Sequence, residues 1–168
     1  MIEGAILEKG ESGYTCLKKL FRRMDNFQKN YNWLITDCEA YPKRPGHQMR
    51  ITQSKYHNYA WIGGEELTNI VNRDDFQWIW AVLSGFEKDL PKTEILKYEL
   101  PCADGYTGFW EKNLTIQHPL ASVELVAWDS SGTLLISREA ALIRRFREVF
   151  PLSEDLKEHN EKCRQNLI

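Results

Sequence analysis

The side chains able to hold a metal or move a proton are few in this chain, and they are scattered. The histidines are His47, His57, His118 and His159, and the cysteines are Cys16, Cys38, Cys102 and Cys163. No two histidines stand four apart on a helical pattern, and none joins a cysteine at zinc-finger spacing, so neighbours in sequence supply no tetrahedral ligand set. Ser84-Gly85 follows a strand-like run but lacks the first glycine of a nucleophile elbow. Ser130, His118 and Asp129 can be written as a triad, yet adjacent Asp and Ser in a hairpin turn are explained by turn formation alone. Cys102 and His118 can be written as a thiol–imidazole pair, against the default of a semi-buried thiol. Phosphate-cradling glycine patterns are absent. Gly63-Gly64 precedes a helical stretch, but Glu65 and Glu66 fill its first turn and would repel a phosphate. These residues lead us to expect no catalytic group, no metal and no cofactor.

Aromatic residues in loops, with acids beside them, carry more information. Tyr41, Tyr56, Tyr59, Tyr106, Phe109 and Trp110 lie in or next to loop-like stretches, accompanied by Asp37, Glu39, Asp74, Asp75, Asp104 and Glu111. Aromatic anchors ringed by charge are the ingredients of a protein-binding surface. The plainer alternative is that these rings cap the ends of a small core. Two other readings stay open. One is a small-molecule or enzymatic pocket lined by His118, Cys102, Asp104 and Trp110. The other is an interaction subunit, for instance half of a homodimer.

Several elements must position these residues. Residues 2–8 alternate as a strand. Residues 12–28 read as a helix capped by Ser12, with Leu17, Leu20, Phe21 and Met24 on one face and Lys18, Lys19, Arg22 and Arg23 toward its C-terminus. Residues 31–37 read as a strand, followed by a long loop with Pro42, Pro45 and Gly46 as breakers. Residues 59–62 make a short strand, and Leu67, Ile70 and Val71 mark a helix after the glycine pair. Residues 76–83 are apolar on both faces, with Phe76, Trp78, Trp80 and Val82 expected on one side and Ile79, Ala81 and Leu83 on the other, which suits a central strand. Residues 92–98 are consistent with a helical turn, and 101–113 with a loop. Residues 122–128 and 133–137 form a hairpin whose turn assigns positive φ to Gly132. Ser137 caps a helix over 138–150 with Leu142, Phe146, Val149 and Phe150 buried, Pro151 ends it, and a last polar helix begins at Ser153–Asp155. Strands grouped centrally with helices toward the ends imply an α+β fold: one domain over residues 1–168, with a mainly antiparallel or mixed sheet of five to six strands packed by helices.

Composition agrees. A chain of 168 residues is about one domain and buries roughly two-thirds of its unfolded surface, so it requires no disulfide or metal. The cysteines, widely and irregularly spaced, read as free thiols of a reducing compartment. The net charge of -2 comes from interleaved signs, and even Arg144, Arg145 and Arg147 share their segment with Glu139 and Glu148. That pattern argues against a nucleic-acid partner. No apolar run approaches the ~18 residues of a membrane span, and Glu3, Glu8, Lys9 and Glu11 interrupt any secretory core, so a cytoplasmic location without membrane contact is expected.

Taken together, YNWLITDCEAYP (31–42), WIGGEEL (61–67), DDFQWIWAVLSGF (74–86), DGYTGFW (104–110), IQHPLASVELVAWDSS (116–131) and LISREAALIRRFREVFP (135–151) resemble small cytosolic immunity proteins encoded beside polymorphic or contact-dependent toxins in bacteria. The resemblance covers most of the chain from residue 31 onward. It implies tight binding to a cognate toxin protein, with a nuclease among the candidate classes, and no chemistry of the chain's own. Acidic loops would complement a basic, phosphate-binding active site. The expected inhibitory surface therefore comprises Asp37, Glu39, Asp74, Asp75 and Asp104, with Tyr41, Tyr106 and Trp110 as apolar anchors.

Overall fold

The computed structural model describes residues 1–52 and 59–165. Tyr56 and His57 lie outside them. Seven strands are described: β1 (Glu3–Leu7), β2 (Tyr31–Ala40), β3 (Tyr59–Gly63), β4 (Trp78–Glu87), β5 (Val123–Trp128), β6 (Gly132–Ser137) and β7 (Glu154–Asp155). They form one sheet in the order β3-β2-β4-β5-β6-β1-β7, and every neighbouring pair is antiparallel. The fold is α+β as expected, with seven strands in place of five or six. The additional one is the two-residue β7, too short to leave a periodic signal.

The doubly apolar run around residue 80 is explained by its place. β4 sits between β2 and β5, with both faces of the sheet covered. On the first face, Trp33, Ile35, Ala81, Leu83, Leu125 and Leu135 pack with the apolar stripes of α1 (Leu17–Arg23), α3 (Gly64–Arg73) and α5 (Ala140–Val149). On the second, Leu34, Val82, Phe86, Val126, Leu134 and Ile136 lie beneath a long connection over 88–121 and α6 (Leu156–Gln165). That connection is a strap with little regular structure: α4 (Lys92–Ile95), the 3-10 turn Gly108–Trp110, and buried Ala103, Leu114 and Ile116 between.

Several local expectations are corrected. Trp78 and Trp80 do not share a face: Trp78 belongs to the first core and Trp80 packs with the second. The register shows why. Thr36 pairs with Val82, Glu39 with Trp80, and Ala40 with Trp78. One extra residue on β2 and then one on β4 break the period-two alternation, as β-bulges do. The first helix starts at Leu17 with Cys16 at its N-cap and no side-chain capping bond, so Ser12 does not cap it, and it ends before Asp25 and Asn26, both at positive φ. Part of the expected 38–58 loop is α2 (Pro45–Thr52), opened by a proline at the one helical position where its missing N–H is harmless. In the hairpin, Asp129 (φ 45) and Ser130 (φ 56) take the left-handed conformation, and Gly132 is already in β6 opposite Trp128. Ser131 N–H donates to Trp128 O (2.9 Å), closing a turn of the primed type that suits strand twist. Ser137 Oγ accepts from Glu139 N–H (2.9 Å), but Glu139 is the N-cap of α5, whose fully buried residues are Ile143 and Phe146, with Leu142 and Val149 only partly buried.

Candidate functional site

The β2 bulge places the first predicted site residue. Asp37 adopts φ 47, a conformation that Asp tolerates better than most residues because its short polar side chain bonds locally. One carboxylate oxygen, Oδ2, accepts from the backbone N–H of Ala103 (2.7 Å) and of Asp104 (2.8 Å). Asp37 therefore tethers the strap to the sheet. The tether fixes the loop that carries Asp104, which is exposed, and Tyr106, which is half-buried. Glu39, also exposed, accepts from the Tyr41 hydroxyl (3.1 Å), and Tyr41 is 62% exposed.

Beyond this loop the rings form a chain. Tyr106 meets Phe109 edge-on (4.7 Å between centroids), and Phe109 meets Trp128 (5.9 Å). Trp110 and Trp80 each meet Trp128 at 4.9 Å, at 83° and 71°. Trp80, Trp110 and Trp128 are all half-buried. α6 steadies this corner: Asn160 Nδ2 donates to Phe109 O (2.9 Å) and Glu111 O (3.2 Å), and Arg164 donates to Trp110 O (2.7 Å). The structure thus gathers Asp37, Glu39, Tyr41, Asp104, Tyr106 and Trp110 at the β2–β4 end of the sheet and adds Trp80 and Trp128. Sequence reasoning missed these two. Period-two alternation puts Trp80 on the same face as Trp78, and the bulge breaks that alternation. Trp128 is marked only by its position as the last strand residue before a turn.

Asp74 and Asp75 do not join this group. Asp74 is 4% exposed, at the C-cap of α3. Its Oδ2 accepts from Arg44 N–H (3.0 Å) and stands 3.4 Å from His47 Nδ1 without hydrogen-bond geometry. A carboxylate buried in this way organises the start of α2 and is not presented to a partner, which corrects the expectation for Asp74. Asp75 is exposed but lies beside the Cys16 thiol, whose pKa it helps to raise, at the helix-covered face.

The alternative pocket loses its central group. His118 is fully buried: Nε2 bonds to Ile95 O (3.0 Å), Nδ1 accepts from Leu120 N–H (3.3 Å), and Phe86 and Tyr98 pack edge-on. Neither ring nitrogen is free, and burial holds the imidazole's pKa below its ordinary value. Burial, with Asp37 and Asp104 nearby, pushes the Cys102 thiol up, which is the wrong direction for a nucleophile. Asp129 and Ser130 are committed to the hairpin turn.

A further buried group went unseen in the sequence. Glu124, in a polar slot of an alternating strand, is fully buried on the second face. It accepts from Gln117 N–H (2.9 Å) and His118 N–H (3.0 Å), with the Ser84 hydroxyl at 3.3 Å. Burial pushes its pKa up to about 7 against these favourable bonds. Among the described residues no group of three or more His, Cys, Asp or Glu side chains is placed to hold a metal ion, and no helix is long and apolar enough to cross a membrane. No family model, curated protein or solved structure matches this chain.

Proposed function

We propose that this chain is an immunity protein that binds a cognate bacterial toxin in the cytoplasm and neutralises it by direct contact, without chemistry of its own. The observation that carries this reading is the set of half-buried rings Tyr106, Trp80, Trp110 and Trp128, joined through the buried ring of Phe109 and lying beside exposed Glu39, Tyr41 and Asp104. Aromatic side chains give large contact area for little lost rotamer entropy, and they dominate interface hot spots. Here they stand on strand ends and on a strap tethered to the sheet, so little ordering remains to oppose association. The exposed acids around them suit a basic surface such as the active site of a nuclease. The binding residues assigned on this reading are Asp37 as positioning residue, Glu39, Tyr41, Asp104, Tyr106 and Trp110 as proposed from the sequence, and Trp80 and Trp128 from the fold.

The test is co-purification with the product of the adjacent gene, followed by titration. A one-to-one complex with nanomolar or tighter affinity, accompanied by loss of the partner's toxicity, is expected. An adjacent product that neither binds nor harms cells overturns the proposal.

A further inference from the structure

Resting on that protein-binding reading, we infer that the tryptophan corner receives an arginine-bearing, extended segment of the partner protein. The inference comes from what the corner leaves unsatisfied. Trp128 stands between Trp80 and Trp110, nearly perpendicular to both. No two of the three indoles are stacked face to face, while Phe109 also meets Trp128 edge-on and His159 lies tilted against Trp110. All three are only half-buried, so part of each indole is open to an occupant.

The indole N–H groups point the same way. Trp33 Nε1 donates to Gln28 O (2.9 Å), and Trp78 Nε1 is sealed in the core. Among the described residues, no acceptor pairs with Nε1 of Trp80, Trp110 or Trp128, and none of these atoms is sealed from solvent. A purely apolar occupant would strip water from these donors and leave them unpaired, an unfavourable exchange. The carbonyls of an extended backbone supply the missing acceptors.

The charge around the corner selects the side chain. Glu39 is the register partner of Trp80, Asp129 follows Trp128, and Asp104 lies two residues before Tyr106. The nearby cation Arg164 is already engaged by Trp110 O and Glu111. A π-face flanked by carboxylates suits a guanidinium, which stacks flat on an indole while its N–H fork meets a carboxylate. A compact, strongly hydrated ammonium fits less well.

The test uses the full chain and a short peptide of alternating glycine and arginine, with lysine and citrulline counterparts. Citrulline keeps arginine's shape and removes its charge. The six indole N–H resonances (Trp33, Trp61, Trp78, Trp80, Trp110, Trp128) are followed by NMR. Saturable shifts confined to Trp80, Trp110 and Trp128 are expected with the arginine peptide, at about tenfold higher affinity than with citrulline. Glu39→Gln with Asp104→Asn should weaken them several-fold. Equal affinity for the citrulline peptide, or no response of these three indoles, overturns the inference. Titrating the adjacent gene product against Trp110→Ala, with Trp110→Phe as the milder variant, separates the two proposals. A toxin that binds wild type and both variants alike sinks this inference and leaves the immunity reading standing. A non-binding adjacent product beside a normal arginine-peptide response does the reverse.

Discussion

Two acidic residues, Asp37 and Glu124, each hold a pair of backbone N–H donors, with measurable consequences. Asp37 receives two backbone N–H groups on a single oxygen, Oδ2. Asn can present an amide oxygen there and also tolerates φ 47. Asp37→Asn should therefore lose no more than about 1 kcal/mol, whereas Asp37→Ala strands two donors and adds backbone strain, for about 1–3 kcal/mol. Urea titration of the two variants distinguishes an acceptor role from a purely ionic one, which would make them equal. Glu124 predicts a pH dependence. Its folded-state pKa, about 7, lies above its ordinary value of 4.5, so the folded chain holds the proton more tightly. The associated stability is fully present below about pH 4.5 and is lost as pH rises through about 7. The span is about 3 kcal/mol at most. Glu124→Gln should remove that slope, which is read from the difference between wild-type and variant stability across pH 5 to 8. It should also lower the acid-side baseline, because an amide NH2 must then face one of the donors at Gln117, His118 or Ser84. A variant with the wild-type slope would show that Glu124 does not titrate in this window.

At the scale of elements, the contrast between α3 and the strap separates what the sequence discloses from what it hides. Leu67, Ile70 and Val71 share a helical face in sequence and in the structure, and the acids of the first turn are where the dipole argument puts them. The glycine pair carries a packing constraint that the sequence does not disclose. A Cβ at Gly64 would in fact run into the Gln28 carbonyl of the neighbouring 3-10 turn (Phe27–Asn30). Gly64→Ala must push backbone against backbone, and a loss of about 3 kcal/mol or more is expected by thermal or urea unfolding; a change under 1 kcal/mol would mean that the turn gives way freely. The strap, by contrast, has no periodicity to read. It is held by paired bonds from the side chains of Asp37, Glu124 and Asn160 to its backbone, and nothing in local spacing announces such partners. The bulges that swing Trp78 and Trp80 to opposite faces are equally silent, since they arise between strands. Six strands and the main helices were thus legible from periodicity and turn chemistry. The candidate site was legible as a composition, acids with aromatic loops, but not as an assembly, because its assembly depends on the strap and the bulges.

For the molecule as a whole, charge placement matters more than charge total. The net charge of -2 gives little far field, so steering of a basic partner must come from where the acids sit. Glu39 and Asp104 flank the tryptophan corner, while Asp75 and Glu148 lie toward the helix-covered face, Glu148 on α5. Reversing two acids to lysine changes the net charge by four units in either place, from -2 to +2. The pair Glu39→Lys and Asp104→Lys can therefore be compared with Asp75→Lys and Glu148→Lys at matched total charge. If the corner meets the basic face of a toxin, the first pair should slow association about tenfold or more at low ionic strength. The loss should shrink as salt approaches physiological levels and the Debye length falls to about 8 Å. The second pair should change the association rate less than about twofold. Stopped-flow association across a salt series reads both. Equal slowing by the two pairs would assign the effect to net charge and take the interface away from this end of the sheet. Slowing by the second pair alone would move it to the helical face.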